Sequence, residues 1–337
     1  MDNGLGEVQP LNSAGERTLL WTGCSLPLNK EFLMRQRVKT VFFIGLALIA
    51  LFGMTACPQK AKPKAEEPAA PPDKTYTVKG ISFTMKKIAA VTGKSVGHPD
   101  VVGNAGVNDN KPHSISLSAY FIGETEVTQE LWQAVMGNNP SWFKGSSNPP
   151  DGDEEQGKRP VENMNWYKAI SFCNELSKAC GLEPCYTEID IEEDNAVCDF
   201  NKNGFRLPTE AEWEWAAMGG KDYKWAGTDS ESELGNYAWY EANSNDKTHQ
   251  VKMKLPNGYG LYDMSGNVFE WCWDRYGSLS DVLPLDYTGA ASGKKRVERG
   301  GFYDNSSSAP RIQRAYRAYD APDLFIKAIG LRVVCRP

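Results

Sequence analysis

The chain has 337 residues, 41% of them apolar and 24% charged, an ordinary globular balance with length for two domains or one large one. A net charge of −6 excludes the basic footprint of a nucleic-acid binder, and 3 histidines leave little for a His-based metal or catalytic centre. The 10 Trp, 14 Tyr and 31 Gly suit a loop-rich fold pinned by large aromatics, and 8 Cys are too few for a disulfide-framework miniprotein.

In chain order, the first organised feature is Val41–Ala56, an almost wholly apolar run of 16 residues preceded by Arg35, Arg37 and Lys39. It is short for a spanning helix, which needs about 20 residues. A basic start, an apolar middle and small residues before a cleavage point make a secretory signal. Its ending, Met54-Thr-Ala-Cys57, resembles a bacterial lipobox, with Cys57 as the lipid attachment site and residues 34–56 as the signal peptide. Residues 1–33 have no role in this scheme, which puts the start of translation at Met34. The expected location is the bacterial cell surface, as an outer-membrane lipoprotein held to the membrane through its lipid. Pro58–Lys74 carries 5 prolines and no aromatic or branched aliphatic residue. Such a segment buries too little surface to fold and acts as a semi-extended spacer. The folded body is expected over residues 75–337.

Within it, Ile81–Met85 and Ser114–Ile122 read as strands, and His98–Lys111 as loop. Thr128–Met136 has helical spacing with Thr128 as cap, and Asn138–Arg159 is loop. Asn165–Cys180 reads as an amphipathic helix with Ala169, Phe172, Cys173 and Leu176 on one face. Thr209–Met218 is a short helix whose Thr209 and Glu212 fit a capping box. Beyond Gly219 short strands alternate with Gly, Asn and Asp turns. The fold class is α+β, loop-rich, with short strands and few helices. Export favours disulfides, and Cys185 and Cys198 flank an expected hairpin and are paired on that ground. Cys180 and Cys272 read as free buried thiols.

Several segments in order carry a family resemblance: Gly123–Thr128, Phe205-Arg-Leu-Pro-Thr-Glu-Ala-Glu-Trp-Glu-Trp-Ala-Ala217, Gly258-Tyr-Gly-Leu-Tyr-Asp-Met-Ser-Gly-Asn-Val-Phe-Glu-Trp271, Arg296–Gly301 and Gly330-Leu-Arg332. Together they resemble the formylglycine-generating enzyme (sulfatase-modifying factor) domain, a variant of the C-type lectin fold, over residues 76–337. The resemblance implies a frame built on Arg206, Trp213, Glu214, Gly300, Gly301, Arg317 and Arg332. It implies a calcium site at Asp263, Gly266, Val268 and Glu270, whose hard oxygen ligands suit Ca²⁺. It also implies a bond from the helix cysteine Cys173 to the terminal strand, where Cys335 is the available partner. The family's enzymes use a copper-binding cysteine pair after the Arg-Gly-Gly segment. Asn305 and Pro310 stand there instead, and no Cys lies between Cys272 and Cys335, so neither copper nor catalysis is expected.

The stretch 302–327 resembles the C-terminal region of variable proteins from diversity-generating retroelements, where this fold presents rewritten side chains to a ligand. Its candidate contacts are Phe302, Tyr303, Asp304, Asn305, Tyr316, Tyr319, Asp320, Asp323 and Phe325, the residue types that binding surfaces favour. The expected function is non-catalytic binding of a protein or glycan outside the cell. A lectin-like lipoprotein of fixed specificity, and a copper-dependent oxidase that the missing cysteines argue against, are the other readings.

Overall fold

A computed structural model describes residues 72–337 except 105, 193, 194 and 305–308. The signal segment and Cys57 lie outside the described residues. Helix α1 (Gln129–Met136) starts at Thr128, whose side chain accepts the Leu131 N–H, and ends at Gly137 in the left-handed region. Helix α2 (Trp166–Ala179) starts at Asn165, which accepts the Lys168 N–H. Helix α3 (Glu210–Met218) has the full Thr209–Glu212 capping box and stops at Gly219. All three begin where a capping side chain satisfies an orphan N–H.

One sheet runs β1 (Lys74–Val78), β2 (Ile81–Ile88), β5 (Tyr120–Gly123), β13 (Val334–Cys335), so both ends of the folded body meet in it. β1 and β2 turn through Lys79 and Gly80, both at positive φ, the two-residue hairpin geometry that matches strand twist. The second sheet runs β11 (Ala318–Asp320), β10 (Arg296–Arg299), β8 (Phe269–Arg275), β12 (Ile329–Gly330), with β12 parallel to β8 and the other pairs antiparallel. A third joins β3 (Val91–Val96), β4 (His113–Leu117) and β9 (Val282–Leu285), and β6 (Tyr186–Asp190) with β7 (Asn195–Cys198) forms the expected hairpin.

The strand expected over Ser114–Ile122 divides into β4 and β5, which belong to different sheets. The cause is Asp286, whose carboxylate takes both the backbone N–H and the hydroxyl of Ser118 at 2.7 Å and draws the chain out of the ladder. The first strand after Gly219 is β8, because residues 219–268 are organised by turns and one short 3₁₀ segment, Glu231–Asn236. The core lies between α1, α2 and the first sheet, where Trp132 stacks on Phe172 at 4.8 Å. A second core surrounds α3, all of whose residues are buried.

Candidate ligand-binding site

The site is built on buried ion pairs. Glu214 on α3 accepts from Arg299 at 2.6 Å with one oxygen and from Arg314 at 3.0 Å with the other. Arg299 also donates to the carbonyls of Arg314 and Tyr316, so one β10 side chain fixes the backbone of the candidate contact stretch from below. Arg317 grips Glu210 with two bonds of 2.7 and 2.8 Å. Arg206 holds Glu212 in the same bidentate way, while its backbone bonds Val334 in both directions. Arg332 holds Glu270 and the carbonyls of Gly123 and Tyr262. Bidentate, charge-assisted bonds specify geometry as well as energy. Gly300 and Gly301 both sit at positive φ, and a Cβ on Gly301 would lie 2.5 Å from Ile312 Cγ2. Thus Arg206, Trp213, Glu214, Gly300, Gly301, Arg317 and Arg332 form a buried frame.

Above it lies a cavity of about 190 Å³ between β10, β11 and the following loop. Phe302, Tyr316, Tyr319 and Asp320 line it, so the structure gathers four of the candidate contacts in one place. Of the other five, four stand elsewhere. Tyr303 is buried among Phe143 and Phe302 and is a packing residue, because Phe143 closes over it edge-on at 5.0 Å. Asp304, Asp323 and Phe325 are exposed outside the cavity lining, and Asn305 lies outside the described residues. Sequence reasoning missed Glu298, Ala318, Arg311, Ile326, Phe269 and Asn104, which share the lining. Glu298 was hidden inside Arg296–Gly301, where its neighbours made it look like frame. Asn104 comes from the distant His98–Lys111 loop, fixed there by its backbone bond to Arg317.

A family model described as the sulfatase-modifying factor enzyme 1-like domain matches residues 60–337. The chain belongs to this family. Among curated relatives, the "Chaperone protein LppX" of Paenibacillus barcinonensis is 37% identical over 253 residues, 66% of this chain and 81% of that protein. The formylglycine-generating enzyme of Thermomonospora curvata is 28% identical over 229 residues, 61% of this chain and 64% of the enzyme. Among solved structures, Treponema denticola variable protein 1 is 53% identical, with a TM-score of 0.73, covering 80% of this chain and 100% of that one.

In this sulfatase-modifying-factor domain the two carboxylates expected as calcium ligands stand in different states. Glu270 is spent: it accepts from Arg332 with both oxygens and from Trp213 Nε1 at 2.7 Å. Asp263 accepts the Lys252 N–H with Oδ2 and keeps only Oδ1 open. Among the described residues no cluster of three or more His, Cys, Asp or Glu is arranged for a metal. Of the two expected carboxylate ligands, Glu270 is thus already neutralised by an arginine, and Asp263 keeps one buried oxygen without a partner among the described residues.

The expected disulfides are absent too: Cys173, Cys180, Cys185, Cys198, Cys272 and Cys335 are free thiols. In the hairpin Cys198 opposes Tyr186, so Cys185, one residue back, belongs to the other face. It donates instead to the Gly204 carbonyl. Burial pushes every one of these thiols upward, Cys180 and Cys335 to about 11.

Proposed function

We propose that this protein is a non-catalytic envelope lipoprotein that binds a ligand at the cavity over β10 and β11, with its wall residues in 302–327 diversified by a retroelement. The observation that carries the reading is the division of labour in the site. Arg299 holds the contact stretch through the carbonyls of Arg314 and Tyr316, not through side chains, so the wall residues can change without loss of the frame. The likeness to a variable protein of Treponema denticola supports diversification, and the Met54–Cys57 lipobox supports anchoring and display at the surface. Against oxidase chemistry stands the state of the thiols. A nucleophilic or copper-binding cysteine works as thiolate, and burial keeps all six thiols of the body protonated at neutral pH.

Sequencing the 3′ end of the coding region and its surroundings across isolates tests the reading. The expected result is a nearby reverse-transcriptase gene, a near-copy of the 3′ end, and adenine-directed differences confined to codons 302–327. Their joint absence leaves a binder of fixed specificity.

A further inference from the structure

Glu298 is unlike the other buried glutamates of the site. Glu210, Glu212, Glu214 and Glu270 are each held by an arginine. Glu298 is only 2% exposed, and its Oε1 has no hydrogen-bond partner among the described residues. Its cross-strand neighbours are Trp271 on β8 and Ala318 on β11. Ala318 stops at its β carbon, so the space over the carboxylate stays open and becomes the cavity floor.

A buried acceptor without a donor is costly, and a charged one more so. Asp320 adds a second carboxylate to the lining. Burial raises both groups above the usual carboxylate range, Asp320 raises Glu298 further, and Lys295 opposes the shift in each. Lys295 itself lies over the Tyr319 ring at 4.2 Å, so this aromatic face already accepts a cation. Arg311, the other charge in the lining, is exposed. Phe269, Phe302, Tyr316 and Tyr319 supply the aromatic walls. Aromatic faces beside carboxylates attract organic cations, most strongly where water is excluded.

We propose that this cavity takes an organic cation, an ammonium or guanidinium on a short stem, paired with Glu298 and Asp320 and packed on Phe302, Tyr316 and Tyr319. The proposal rests on the ligand-binding reading above and names the chemistry that the site selects. A neutral donor would satisfy Oε1 but leave the two carboxyls with only Lys295 and the exposed Arg311 near them, and an anion would face them. A bare metal ion would find aromatic walls in place of ligands. The volume, about 190 Å³, exceeds the roughly 150 Å³ that admits benzene, which suits the head of one basic side chain or a small free amine.

Calorimetric titration of the full chain tests this with Nα-acetyl-lysine methylamide, Nα-acetyl-arginine methylamide, phenethylammonium and the neutral Nα-acetyl-norleucine methylamide. Basic probes are expected to bind at least tenfold more tightly than the norleucine probe. Glu298→Gln should remove that tenfold while leaving the norleucine probe unchanged, and Asp320→Asn should remove a smaller part. Glu298→Gln also keeps the side chain's shape while removing a buried ionisable group that no arginine holds, so its melting temperature should hold or rise, which separates lost binding from lost fold. Tighter binding of the two amino-acid amides than of phenethylammonium points to a basic side chain of a protein partner, and the reverse order to a free amine. Equal binding of basic and neutral probes, or unchanged binding by Glu298→Gln, overturns the cation. If that equal binding is abolished by filling the cavity with Ala318→Leu, the ligand-binding face stands without it. If no probe binds, and Ala318→Leu changes nothing, both readings fall.

Discussion

Asp274 sits at the N-terminus of α3, 1% exposed, with Oδ2 accepting the Glu210 N–H at 2.8 Å. Burial pushes its carboxyl up to about 8, Glu210 and Glu212 add to the rise, and Arg317 and the Glu210 N–H oppose it. A carboxyl raised in the folded state holds its proton more tightly than in the unfolded chain. Its contribution to stability is therefore complete below the unfolded value near 4 and lost as pH rises to about 8. Asp274→Asn keeps an oxygen for the Glu210 N–H and removes the titration. Urea denaturation of both proteins should show no difference near pH 4, and an advantage to the variant that grows with pH and levels off above 8, on the order of 5 kcal/mol. A flat difference across that range would show that Asp274 titrates normally. The same burial logic separates what the residues foretold from what they hid. Arg206 and Glu214 were legible as frame through the family resemblance, and the structure adds that each is buried in an ion pair. Tyr303 could not be told from a surface contact, since tyrosine suits both, and only Phe143 from a distant loop decides it.

Gly301 follows β10 and packs closely against the backbone of Arg311 and Ile312. It lies at φ +76, and an added Cβ would meet Ile312 Cγ2 at 2.5 Å and the Arg311 carbonyl at 2.7 Å. Gly80 in the β1–β2 turn lies at φ +86, but an added Cβ meets nothing within 4 Å. The pair separates backbone strain from collision. Gly80→Ala should cost about 1–2 kcal/mol, the left-handed term alone. Gly301→Ala should cost that plus about 1–3 kcal/mol of overpacking and weaken binding of whatever the cavity holds. Equal losses in denaturation would mean that Ile312 yields freely and that the wall is not fixed by this contact. Helices were readable in advance because their signals are local: Thr128, Asn165 and Thr209 cap them, and Gly137 and Gly219 end two of them. Strand breaks and sheet partners were not, because Asp286 breaks the strand at Ser118 from 168 residues away. The cavity escaped notice for the same reason: its floor comes from β10, its wall from β11 and its edge from Asn104.

At the scale of the whole chain, the proposed attachment site and the cavity belong to different stretches of sequence. The first described residues are already docked, with Asp73 bonding the Lys86 ammonium at 2.5 Å and the Lys87 N–H at 3.1 Å. The chain enters the body through β1, an edge of the first sheet, whereas the cavity belongs to the sheet of β8, β10, β11 and β12. Among the described residues, none before Asn104 lines that cavity. Anchoring through Cys57 and binding over Glu298 should then be independent properties of one chain. Cys57→Ser, expressed in a host that processes bacterial lipoproteins, should move the protein from the membrane fraction to the soluble fraction. A single acyl chain binds membranes only marginally and stable anchoring takes more than one, so loss of the modified cysteine should release the protein almost completely. The released protein should melt within about 1 °C of the anchored form in detergent, since every contact described for the body is made by residues from 72 onward and changes outside such contacts stay within about 0.5 kcal/mol. Retention of Cys57→Ser at the membrane would assign the anchor to the apolar run Val41–Ala56 itself, left uncleaved. A large fall in melting temperature would instead mean that the segment before Asp73 is part of the folded body.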